Sequence, residues 1–164
     1  MPAGGKMVTE SSIDLGTLGW VKDEIDETLK QARLALESFV EHRSDEAKLR
    51  LCASYLHQVS GTLKMVEVDA LADLMGEAEA SVQALLATTE PPREEALEPL
   101  VRALLLFPDI LDRVQTRGLG NGLDLLELAN ELRAVRGAEP LPPQAFFRVD
   151  LSPPRPRTPG PACR

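Results

Sequence analysis

His57 is the residue in this chain best equipped for chemistry. It sits in Tyr55-Leu56-His57-Gln58-Val59-Ser60-Gly61-Thr62-Leu63-Lys64, with Gly61 one helical turn further on. Residues four apart share a helix face, so this glycine removes side-chain bulk beside the imidazole. Glycine inside a helix costs about 1 kcal/mol relative to alanine, so its presence here marks a landing area for another protein. Ala53 lies one turn before the histidine and Lys64 two turns after it. The stripe is therefore small, nucleophilic, small and cationic. Imidazole is partly neutral near pH 7, and its neutral form is a nucleophile. A lone histidine on a polar helix face is most often a plain solvated residue, and spacing alone favours that reading.

A second stripe on the same helix says which way His57 points. Leu49, Cys52, Leu56, Val59 and Leu63 recur at spacings of three and four, the pattern of a core-facing seam. His57 is rotated about 100° from Leu56, which puts it at the edge of that seam or outside it.

The segment around His57 resembles a histidine-containing phosphotransfer (HPt) domain, whose motif is a helical His followed by Lys at the third position, Gly at the fourth and a small residue next. His57, Gly61 and Thr62 match, while Ser60 occupies the lysine position. More narrowly, Leu18-Gly19-Trp20-Val21-Lys22-Asp23-Glu24-Ile25, the run from Leu56 to Glu67, and Leu132-Arg133-Ala134-Val135-Arg136-Gly137 resemble the N-terminal phosphotransfer-like module of chemosensory-pili hybrid histidine kinases, which control type IV pili and twitching motility. The resemblance implies a phosphorelay role: His57 as phosphoacceptor, with Gln58, Ser60, Gly61 and Lys64 as its docking and phosphoryl environment. It implies a response-regulator receiver domain or a histidine kinase core as partner. Mg²⁺ and ATP belong on those partners, since nothing in this chain resembles a kinase core, and no cofactor or small-molecule substrate is expected here. Ser60 cannot supply the cation that the family's lysine brings to the phosphoryl group. The alternative is thus an HPt-like docking or scaffold domain that is not phosphorylated.

Composition points to one soluble domain. A chain of 164 residues with 43% apolar content can bury a single core of ordinary size. With one Trp, one Tyr and four Phe, that core is mainly Leu, Val and Ala, as in helix bundles. No apolar run approaches the roughly 20 residues of a membrane span, and Met1 to Ser12 has no signal-peptide apolar region, so a cytoplasmic location is expected. Residues 138–164 carry Glu139 and Asp150 against Arg148, Arg155, Arg157 and Arg164; with a net charge of −8 overall, the body is strongly acidic. Such a body repels nucleic acid and anionic membrane. Cys52 lies on the apolar seam and Cys163 in the tail, which does not suggest a disulfide. Neither His42 nor His57 belongs to a metal-spaced cluster, and Gly118-Leu119-Gly120-Asn121-Gly122 lacks the strand and Lys of a phosphate-binding loop.

Five helical stretches must position His57. The apolar periods predict helices over about Leu18 to His42, from after Ser44 as N-cap to Val66, Asp69 to Ala87, Arg93 to Arg117, and Leu123 to Arg136 closed by Gly137. Pro108 is expected to kink or interrupt the fourth, whose apolar positions include Leu104, Leu105 and Leu111, and Gly118 to Gly122 to form a flexible joint. Short connections favour antiparallel neighbours. The expected fold is all-α: an antiparallel four-helix bundle at 17–137 with one additional packed helix, after a flexible N-terminus at 1–16. From Ala138 eight prolines in 27 residues exclude a regular helix and suggest a disordered linker or tail, in which Phe146-Phe147-Arg148-Val149 is a possible apolar clip. The proline-rich, abruptly ending tail is what a front fragment of a larger kinase would show.

Overall fold

A computed structural model describes residues 3–118, 120 and 122–143 of the chain, with side chains from Leu18 onward, and all regular structure among them is helical. The helices are α1 (Ala3–Glu41), α2 (Glu46–Met65), α3 (Asp69–Ala87), α4 (Glu94–Arg117) and α5 (Leu123–Val135). Each follows from its apolar period. The α2 seam Leu49, Cys52, Leu56, Val59 and Leu63 is at most 1% exposed, and Leu29, Leu36 and Phe39 of α1 meet it in the core. α2 packs along both α1 and α3, α4 lies against α1, and α5 fills the space between α3 and α4. Residue pairings show the antiparallel sense: Gly19 approaches Gln115, while Arg102 pairs with Glu131 and Arg113 with Asp124.

Several boundaries differ from the sequence expectation. α1 begins at Ala3 rather than near Leu18, which makes its 39 residues about 58 Å long. Asp45, not Ser44, occupies the N-cap of α2, without a side-chain cap bond. Ser44 lies in the preceding turn, where the Asp45 N–H donates to the His42 carbonyl at 3.0 Å. α4 is continuous through Pro99 and Pro108. A proline deletes only one backbone donor, and the burial of Leu104, Phe107 and Leu111 holds both sides of Pro108 against the bundle. Leu105, expected among the apolar positions of this helix, is 53% exposed, because its neighbour Leu104 takes the inward direction.

The chain reverses between α4 and α5 at Gly118, Gly120 and Gly122, all at positive φ, where a side chain would be strained. α5 stops when the Gly137 N–H donates to the Ala134 carbonyl at 3.1 Å and the Ala138 N–H to the Arg133 carbonyl at 2.9 Å. This is a glycine-terminated Schellman ending. The first residues of the proline-rich segment then fold back on α5. The Leu141 N–H donates to Asn130 Oδ1 at 2.7 Å and Asn130 Nδ2 donates to the Leu141 carbonyl at 3.3 Å. The Phe146–Val149 clip lies outside the described residues.

Candidate functional site

α2 presents His57 because its buried arc is set by two neighbours. α1 takes one side of the Leu49–Leu63 seam and α3 the other, and a rotation of about 100° from Leu56 carries the imidazole out of the α3 side. The His57 side chain is 77% exposed. Its Nδ1 lies 3.2 and 3.3 Å from the two carboxylate oxygens of Glu79 on α3. A carboxylate only accepts, so this contact calls for a proton on Nδ1, and in the neutral ring that leaves the lone pair on Nε2. Glu79, 22% exposed, was not legible in the sequence. The two residues are 22 positions apart, and only the pairing of α2 with α3 brings them together.

The other expected site residues divide between two faces. Gln58, Gly61 and Lys64 are exposed with His57 on α2. A Cβ added at Gly61 would meet nothing within 4 Å, so the ground beside the imidazole is open. Ser60 is different. It is 7% exposed, and its Oγ donates to the Ala72 carbonyl of α3 at 3.1 Å. The position that holds lysine in phosphotransfer domains therefore points into the helix seam, away from the face on which a phosphoryl group would arrive. Ser60 is thus set apart from the exposed Gln58, Gly61 and Lys64.

His57 and Glu79 line an open groove of about 310 Å³ together with Arg50, Ala53, Ser54, Gln83 and Leu86. Arg50 is the cation of this groove, and it bonds Glu46 one turn before it at 3.1 Å. The groove thus offers an imidazole, a carboxylate and a guanidinium. Among the described residues no group of His, Cys, Asp and Glu is arranged to hold a metal ion. No described helix is long and apolar enough to cross a membrane.

Polar chemistry elsewhere fastens helices. Glu77 on α3 takes Arg133 through one carboxylate oxygen at 3.0 Å and Arg136 through the other at 2.7 Å. Beside it the Ser81 hydroxyl reaches the Leu132 carbonyl at 2.6 Å. Within α1, the Lys22 ammonium bonds Asp26 one turn on at 2.8 Å, and this hydrogen bond raises its pKa above the usual lysine value. Cys52 is a core residue whose thiol is pushed from 9.0 up to about 12 by burial, which leaves it a neutral packing group.

Known proteins resemble the chain at this level. It is 32% identical to the "Scaffold protein FimL" of Pseudomonas aeruginosa over 146 residues, which cover 85% of this chain and 25% of that protein. The chain thus spans about a quarter of the length of that relative. No solved structure matches. The model of the FimL C-terminal domain matches residues 17–137, all five helices from Thr17 to the Gly137 ending of α5, and the chain belongs to that family.

Proposed function

We propose that this domain is a docking module of a scaffold protein that serves chemosensory signalling to type IV pili and twitching motility in the cytoplasm, and that it works without phosphorylation. The observation that carries this reading is the burial of Ser60 on the Ala72 carbonyl. Phosphoryl transfer needs positive charge where the transferring group gathers negative charge. The charged group nearest the His57 ring is instead the Glu79 carboxylate, and the position one turn on that supplies the cation elsewhere is closed inside the α2–α3 seam. The name of the Pseudomonas relative supports a scaffold. The twitching-motility context comes from the resemblance of the α1 and α2 segments to the chemosensory-pili kinase module.

A second reading, phosphotransfer at His57, draws on the Nδ1 contact with Glu79. That contact leaves the Nε2 lone pair free to attack the phosphorus of an aspartyl phosphate. The N–P bond would form as the P–O bond to the receiver's aspartate breaks, with Mg²⁺ and lysine supplied by that receiver.

One experiment separates them. The full chain and its His57→Gln variant are incubated with the receiver domains of the same organism's chemosensory-pili system, phosphorylated beforehand, and with the kinase core and ATP. The scaffold reading expects no acid-labile label on either form and equal capture of the partner by both. A label that His57→Gln abolishes would overturn it in favour of phosphotransfer.

A further inference from the structure

A second cavity, larger than the His57 groove, opens at the end of the bundle where α1 and α3 finish and α2 begins. Its volume is about 390 Å³, inside the roughly 300–1,000 Å³ range of small-molecule pockets. Phe39 and Leu49, each 1% exposed, are its most buried residues. Leu85 and Leu86 of α3, both partly buried, and Pro91 and Pro92 of the α3–α4 connection extend the apolar lining. Helix packing leaves this carbon surface open to water, and a hydrocarbon chain laid on it would release that water. The walls are held in advance of any ligand. The Thr88 hydroxyl lies 3.1 Å from the Leu85 carbonyl and 3.2 Å from the Glu90 carbonyl, and each proline fixes its own φ.

Arg43 gives this cavity its charge. Its Nε donates to the Val40 carbonyl at 3.1 Å and its Nη1 to the Pro92 carbonyl at 3.0 Å, which lies 49 residues away in the chain. The half-buried guanidinium is therefore fixed between the end of α1 and the α3–α4 connection. Carbonyls orient a cation and leave its charge uncompensated. Arg33, Arg50, Arg102 and Arg133 each hold a carboxylate, whereas Arg43 has no carboxylate partner among the described residues. Two of the five N–H groups of a guanidinium are used on the carbonyls, and Nη2 makes no hydrogen bond to a described residue. The two carboxylates of the lining do not cancel the charge. Glu46 is bonded by Arg50 at 3.1 Å, and Glu90 is exposed, where water and salt screen it.

We propose that this end cavity binds a small apolar monocarboxylate, with the carboxylate on Arg43 Nη2 and the carbon chain over Phe39, Leu49, Leu85 and Leu86. The ligand class follows from one oriented, uncompensated guanidinium beside an apolar floor. The planar fork of arginine suits a carboxylate, and a single cation next to carbon surface suits one acid group on a hydrocarbon body. Ser44, exposed in the same lining, offers its hydroxyl as a further donor. The site is independent of how His57 is read. Leu86 is the one residue that lines both this cavity and the His57 groove.

The test uses the full, isotope-labelled chain, with octanoate as the probe and octylamine and acetate as controls. Octylamine carries the chain with the opposite charge, and acetate carries the charge without the chain. In NMR titrations octanoate should saturably shift the amide signals of Arg43, Ser44, Leu85 and Thr88 and bind about tenfold or more tighter than either control. Arg43→Gln should weaken octanoate about tenfold. Because that change also alters the bond to Pro92, Thr89→Glu serves as a second variant. It adds a carboxylate at an exposed position of the lining, should leave the helical circular dichroism intact, and should weaken octanoate several-fold without weakening octylamine. His57→Ala should leave octanoate affinity unchanged. The absence of saturable shifts, or binding of octylamine or acetate as tight as that of octanoate, would overturn the proposal. So would shifts centred on His57 and Gln83, or an octanoate affinity that survives Thr89→Glu and, where that variant is folded, Arg43→Gln.

Discussion

The Ser60 hydroxyl donates to the Ala72 carbonyl across the seam between α2 and α3, at 3.1 Å. A lysine at this position cannot place its ammonium beside His57 without leaving the seam, and inside it the charge has only a backbone carbonyl as partner. Burying an unpaired ammonium is costly. Ser60→Lys is therefore expected to lower stability by about 2 to 4 kcal/mol in urea denaturation and to confer no phosphoryl acceptance on His57. A variant of undiminished stability that accepts label faster than the parent would reverse this account of the site.

Leu56 and His57 are neighbours in sequence with opposite environments, one fully buried and one largely exposed. Leu56→Ala should cost about 2 to 5 kcal/mol through the cavity it leaves. His57→Ala should fall within about 0.5 kcal/mol of the parent, as for surface substitutions. Thermal denaturation of the two variants side by side checks the order.

Gly61 is expected to give the opposite sign. Nothing lies within 4 Å of a Cβ placed there, so Gly61→Ala meets no obstacle and removes backbone entropy from the unfolded chain. The gain should be about 0.5 to 1 kcal/mol. If the alanine variant gains stability but loses affinity for its partner, the glycine serves docking at the expense of folding.

Cys52 should show itself at alkaline pH. Its folded-state pKa of about 12 stands above the ordinary 9.0, so the unfolded chain releases this proton first. The linkage is then unfavourable to the fold: stability is unaffected below about pH 9 and declines as pH rises toward 12. In a Cys163→Ser background, replacing Cys52 by Ala should remove that part of the decline, which denaturation at pH 7 and at pH 10 would measure. Thiol reagents should reach Cys52 only on unfolding; rapid reaction in the folded state would contradict its place in the core.

Where one helix face meets one core, the sequence was enough. The α2 seam from Leu49 to Leu63 is buried as its spacing indicates, and so is the α3 period through Leu71, Leu74, Met75, Ala78 and Val82, although its last member, Leu85, is only partly buried. The inward turn of Ser60 was not legible because α2 is clasped from two sides. Its buried arc is wider than the apolar stripe, and a hydroxyl can complete it by bonding a carbonyl across the seam. Glu79 was invisible for another reason: periodicity places residues on a helix and is silent about which helix lies opposite. Pro108 was expected to break α4 from local chemistry alone, and packing on both sides outweighed the lost donor. The start of the tail was read as free from its prolines, yet Asn130 holds Leu141 by two hydrogen bonds.

The double grip of Glu77 on Arg133 and Arg136 bears on how the molecule opens. α5 is the shortest helix, with 13 residues, and this grip joins positions 56 and 59 residues apart in the chain. A short element closed by long-range contacts is expected to open locally at lower free energy than the whole fold in native-state hydrogen exchange. α5 and the few tail residues pinned to it thus form a detachable leaf on a stem of α1, α2, α3 and α4. The stem carries the whole His57 groove, so amides of Leu125 to Leu132 can exchange through a partial opening that leaves it intact.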